Sequence, residues 1–193
     1  SDAEAAVMDS IELCAEVADV DIVFVPSNHD WIIGFGIART IAAWFGNHPH
    51  VHTSDYNLCE RHRKYYRYEK NIIGLTHGDG AKHSDLYPLM VTEARDHISE
   101  CPHLYWYLHH IHHKDRQTVG RRPEKREKDL TGMTVIGSGT GATEGDNAQI
   151  EYVRSPSPPD GWHDRNGYVN RQAVECFLHH PLNGQFARYT EWF

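Results

Sequence analysis

Cysteine is scarce and dispersed in this chain. Cys14, Cys59, Cys101 and Cys176 form no CxxC pair, which disfavours a cysteine zinc site of the usual spacing and a disulfide framework. Long apolar runs are missing too. No stretch reaches the roughly 18 consecutive apolar residues that a membrane-spanning helix needs, and no basic start, apolar middle and small-residue cleavage site marks a secretory leader. These absences predict a reducing, cytoplasmic setting and no membrane partner. Surplus positive charge is also lacking: 19 Lys and Arg stand against 27 Asp and Glu, a formal net charge of −8. Long-range attraction to nucleic acid is thereby excluded, so any such contact has to be local or assisted by a cation.

Histidine, by contrast, is abundant. The 193 residues include 16 histidines, and His109, His110, His112 and His113 form an almost unbroken run. The length suits one domain with a proper core, and the apolar and charged fractions are those of a globular chain.

The order of elements predicts an α/β fold. Val7, Ile11, Cys14 and Ala18 recur at helical spacing, with Asp2 as N-cap. The short β-branched run over residues 21–25 reads as a buried strand ending at Pro26, followed by the polar turn Ser27-Asn28-His29-Asp30. A second helix follows, with Ile33, Ile37, Ile41, Trp44 and Phe45 on its apolar side and Gly46 as C-cap.

Residues 65–68 and 72–75 read as two strands joined by a tight turn, and Thr76-His77-Gly78-Asp79-Gly80 follows the second. Ser84 is expected to cap a helix through Leu86, Leu89, Met90 and Ala94. Leu104–Leu108 reads as another buried strand, running straight into the histidine cluster. A charged loop is expected from Lys114 to Lys128, with seven Lys or Arg against three acidic residues, and a strand over 133–137. The tail from Ser155 is rich in Pro, Gly and Asn but keeps enough aromatic residues to fold back on the domain.

Three strand-like segments thus end in polar clusters containing histidine, where α/β folds gather their sites. Asn28-His29-Asp30 resembles the GNH[D/E] motif of calcineurin-like metallophosphoesterases. His77 resembles that family's isolated metal-binding histidine, and His110-Ile111-His112 its closing GHxH motif. The resemblance covers most of the chain and is nearest to the small bacteriophage and bacterial versions, related in fold to DNA-repair nucleases.

It implies a four-layer sandwich of two mixed β-sheets flanked by helices. Residues 1–193 would form one domain, the C-terminal two-thirds of the family fold. It also implies a metal-dependent phosphoester hydrolase, with a phosphodiester such as DNA as substrate. Asn28, His77 and His110 would bind one divalent cation and His112 a second, each Mn, Fe or Zn. Two such cations roughly 3.5–4 Å apart clamp a phosphate and activate water between them. His29 would protonate the leaving group and Asp30 would hold its ring.

The chain departs from the pattern in two ways. Ser27 and His109 stand where the motifs carry glycine. The family's opening D-x-H and GDxx[D/N] motifs, the second of which supplies the bridging aspartate, are absent from the residues before Asn28; Asp19 and Asp21 lie in the wrong place for either. Either a removed segment carried them, or another polypeptide supplies them, or the chain is a degenerate relative that never had them; the start at Ser1-Asp2-Ala3, without methionine, favours the first. With those ligands absent the chain would hold one metal or none, and the alternative is a non-catalytic binding or structural module. A histidine-rich metal store is a third reading, and would bind several ions loosely.

Overall fold

The computed structural model describes residues 2–28, 31–110, 116–120, 147–156 and 172–192. The chain divides into two compact units, Ser1–Lys64 and Tyr65–Phe193.

The first unit is a βαβ arrangement preceded by a helix: α1 (Asp2–Ala15), β1 (Val20–Asp21), α2 (Trp31–Trp44), β2 (Val51–His52) and α3 (Asp55–Leu58). The two strands pair in parallel, Val20 with Val51 and Asp21 with His52, as a helical crossover requires. Ala15, Ile41, Phe45 and Val51 form its core, with Met8, Ile11, Val20, Ile22 and Ile37 against them.

The strand expected over 21–25 is shorter than its composition suggests. Beyond Asp21 the chain stays hydrogen-bonded at alternate residues, Ile22 N–H to the His52 carbonyl and Phe24 N–H to that of Asn57, both at 3.0 Å. These contacts reach two different segments, so no continuous ladder forms. Along α2 the expected apolar stripe is half right: Ile41 and Phe45 are buried, whereas Ile33 and Trp44 are exposed. Gly46 is not among the glycines with positive φ, so it makes no left-handed cap. Asp2 is the first residue of α1 itself. α3 carries a side-chain cap, the Asn57 N–H donating to Ser54 Oγ at 3.0 Å.

The second unit is built on a mixed five-stranded sheet. Its elements are β3 (Arg63–Tyr68, in this unit from Tyr65 on), β4 (Asn71–Thr76), α4 (His83–Glu93), α5 (Arg95–Ile98), β5 (His103–Leu108), β6 (Arg116–Gly120), β7 (Asn147–Tyr152), β8 (Ala173–His180) and β9 (Gly184–Trp192). The sheet order is β3-β4-β5-β7-β6. Strands β4, β5 and β7 run parallel and β6 antiparallel to β7, while β8 and β9 form a separate antiparallel pair.

The alternating pattern of β5 assigns the two faces of this sheet. Leu104, Trp106 and Leu108 meet Leu86, Tyr87 and Met90 of α4, together with Ile72, Ala148 and Ile150. Tyr105 and Tyr107 face the other way, with Val153, Ile73, Leu75 and Phe177 of β8. Gly74 is demanded by the first face, because a Cβ there would lie 2.6 Å from the Trp106 ring.

The β8–β9 pair is tied to the second face by polar contacts. Gln149 Nε2 donates to Gln185 at 2.9 Å, and the Tyr107 hydroxyl meets His179 Nε2 at 2.8 Å. Arg188 stands between the buried carboxylates of Glu151, at 3.4 Å, and Glu175, at 3.8 Å.

The architecture is therefore α/β with several sheets and helices. The adjacent strands at 65–68 and 72–75 and the strand at 104–108 lie where their patterns place them. Ser84 is not the helix cap: α4 starts at His83 after Lys82, with no side-chain cap bond. The loop expected from Lys114 to Lys128 contains a strand at 116–120, held by main-chain pairing to β7. The strand expected over 133–137 lies outside the described residues. Among the described residues no helix is long and apolar enough to cross a membrane.

Candidate functional site

Parallel pairing puts the carboxyl ends of β4 and β5 side by side, with Leu75 opposite Tyr107 in the last register pair. His77 and the His109-His110 segment emerge just past those ends, where open α/β sheets collect their sites. The His77 carbonyl accepts two backbone N–H groups, from His109 at 3.0 Å and from His110 at 2.8 Å.

The side chains meet as well. His110 Nδ1 lies 3.2 Å from His77 Nε2, with ring centroids 5.1 Å apart and planes at 70°. His77 is 8 % exposed and His110 half-buried.

Gly78 allows this turn. Its φ of +105° is one that side chains rarely adopt, and a Cβ would come within 3.0 Å of Leu108 and 3.3 Å of Tyr152. Tyr152, at the end of β7, also meets His83 Nε2 at 2.5 Å. The polar residues after β4, β5 and β7 thus converge on one end of the sheet.

A separation of 3.2 Å admits two chemical readings. It is an ordinary hydrogen bond between a protonated and an unprotonated imidazole nitrogen. It also falls within the range for two nitrogens on one cation, because metal–nitrogen bonds of about 2.0–2.1 Å leave the nitrogens about 2.8–3.0 Å apart at octahedral angles and about 3.3–3.4 Å at tetrahedral ones. The distance alone thus matches a shared ion as well as it matches a hydrogen bond.

The structure brings together two of the residues singled out from the sequence, His77 and His110. Asn28 is exposed in a turn of the first unit. His29, Asp30 and His112 lie outside the described residues. Among the described residues no group of three or more His, Cys, Asp or Glu side chains is placed to hold a metal ion.

Other groups were not singled out by the sequence. Asp19 Oδ1 lies 2.9 Å from His50 Nδ1 and 3.9 Å from His52 Nε2. The hydrogen bond from His50 holds the Asp19 carboxyl below its ordinary pKa. All three side chains are exposed, and they are near-neighbours only because β1 and β2 pair in this register. Arg154, Glu175 and Phe177 gather beside the ends of β4 and β5. No local spacing announces them, since they meet through the docking of β8.

Compared with known proteins, the chain has no counterpart that informs this site: no family model matches it, and neither a curated protein nor a solved structure is significantly similar.

Proposed function

We propose that this chain is a metal-dependent phosphoester hydrolase of the calcineurin-like metallophosphoesterase type, acting on a phosphodiester such as DNA. The observation that carries the reading is the 3.2 Å approach of His77 and His110 at the carboxyl ends of two parallel strands. The two residues belong to separate motifs, 33 positions apart in sequence, and each motif independently suggested a ligand.

In this reading His77 and His110 hold a divalent cation, which supplies positive charge to phosphoryl oxygens and a water acidic enough to attack at neutral pH. Asn28 and His112 complete the proposed ligand set, with Mn, Fe or Zn as the ion. His29 is the proposed proton donor to the leaving oxygen, oriented by Asp30. The carboxylate ligands that the family pattern calls for would come from outside the His77–His110 pair.

The test is hydrolysis of bis(p-nitrophenyl) phosphate with added manganese, alongside calorimetric titration of the metal. Manganese-dependent hydrolysis that disappears in His77→Ala and in His110→Ala supports the enzyme. Tight metal binding without hydrolysis supports the non-catalytic module instead. No metal binding at all removes the proposal.

A further inference from the structure

Helix α2 departs from the usual pattern of a helix at a protein surface. Such a helix turns an apolar stripe to the core and carries polar or charged residues on its other side. Ala38 and Ile41 of α2 face the core, yet the opposite side is apolar as well. Ile32 is 87 % exposed, Ile33 69 % and Trp44 68 %, and Gly36, Thr40 and Ala43 between them are exposed too.

With 3.6 residues per turn, these six positions form one continuous solvent-facing stripe about 120° wide. Thr40 is its one polar side chain, and the hydroxyl already donates to the Gly36 carbonyl of the same helix at 3.1 Å. Arg39 is the only charged residue of α2 and lies at the rim of the stripe. An apolar surface of this kind marks a contact site.

The stripe is its own complement. Reversing the helix about Ala38 carries each of its positions onto another: Ile32 onto Trp44, Ile33 onto Ala43, Gly36 onto Thr40. A two-fold contact has that property, since residue i meets j while j meets i. Side-chain size follows the same plan. Two crossing helices come closest at the middle of the contact and diverge towards its ends. Gly36 and Thr40 stand in the middle, and a Cβ added at Gly36 meets nothing within 4 Å in the single chain. The bulky Ile32, Ile33 and Trp44 stand at the ends, where the gap is wider.

A bilayer suits the stripe less well. Helices that lie on membranes are rich in Lys and Arg on their polar side, whereas α2 has Arg39 alone and packs its other side into the core of the first unit. We propose that this stripe is a self-association surface, on which a second copy of the chain docks its own α2, antiparallel, about a two-fold axis near Ala38. One helix face of about 21 by 10 Å offers much less than the about 800 Å² per partner of a standard interface. The pairing is therefore reversible.

The experiment is sedimentation velocity of the full chain from about 5 to about 500 µM, concentrations that bracket micromolar dissociation constants, in EDTA so that histidine-bound metal cannot bridge two copies. A monomer–dimer equilibrium is expected within that range. Ile32→Lys and Gly36→Leu are each expected to raise the dissociation constant at least about tenfold, with circular dichroism showing the helix retained. Gly36→Leu is the decisive variant. It adds apolar surface and a better helix former, so general stickiness would strengthen association, whereas a close approach at the middle of the helix weakens it.

A monomer at every concentration overturns the proposal. So does an equilibrium that Ile32→Lys leaves unmoved or that Gly36→Leu strengthens. Co-sedimentation with phosphatidylcholine vesicles, in a protein that forms no dimer in solution, gives the stripe to a bilayer and overturns it equally.

Discussion

The His110 N–H donates to the His77 carbonyl at 2.8 Å while the two rings approach to 3.2 Å, so this pair is joined through main chain and side chains alike. Deleting one ring leaves the backbone contact in place and the other ring close to where it was. If the pair holds a cation as proposed, each of His77→Ala and His110→Ala is expected to lower manganese affinity at least about tenfold, the loss that even an outer partner of a metal site produces. Titration calorimetry checks this, with wild-type affinity in both variants as the contrary result.

Glycine is required at two positions for different reasons. Gly78→Ala forces a side chain into φ +105° and against Leu108, whereas Gly74→Ala drives a Cβ into the Trp106 ring and the Met90 side chain. Each is expected to cost about 1–3 kcal/mol in urea unfolding. Gly80→Ala, with nothing within 4 Å of the added carbon, serves as the control and should lie near zero. Equal effects at all three positions would contradict the packing described.

Arg188 reaches two carboxylates that are almost fully buried, with side-chain exposures of 1 % for Glu151 and 2 % for Glu175. Arg188→Met leaves both without that cation, and removing one partner of a buried charge cluster costs about 3–5 kcal/mol. A parallel Glu175→Gln change in the same background should recover part of the loss. Measured midpoints that do not move would mean that solvent already screens the cluster.

Burial, followed by the nearby His103, holds the His179 ring below the ordinary histidine pKa. The unfolded chain takes up a proton near pH 6.5 that the folded chain refuses until lower pH. Stability from this group is thus complete above about pH 6.5 and declines as pH falls from there towards the lowered folded value. His179→Gln is expected to shrink the stability difference between pH 7.5 and pH 5.5. A variant that keeps the full difference would place the acid sensitivity elsewhere among the histidines.

Strong local patterns carried most of what was legible in the sequence. The unbroken apolar run of residues 104–108 and the apolar positions of α4 reflect a strand covered on both faces and a buried helix stripe, and both signals are carried by the local sequence. Less was readable where partners decide. Residues 21–25 are β-branched and apolar, yet their hydrogen bonds go to two separate segments and only Val20–Asp21 completes a ladder. Residues 116–120 sit in a charged stretch, but β7 gives them a strand through backbone pairing that composition does not report.

The site divides in the same way. His77 and His110 stood out because each follows a strand. Arg154 and Phe177 did not, because nothing in their neighbours indicates that β8 will cover the sheet.

The coverage of the second sheet face has a kinetic consequence. Tyr107 meets His179 across 72 positions of chain, and the Gln185 N–H reaches the Tyr105 hydroxyl across 80. Such closures are entropically expensive and slow compared with the pairing of β4 beside β3 or the docking of α4. The β8–β9 hairpin should therefore join late in refolding and be the first to detach under mild denaturant. Amides of Leu178–Tyr189 would then exchange with solvent ahead of those in β4 and β5.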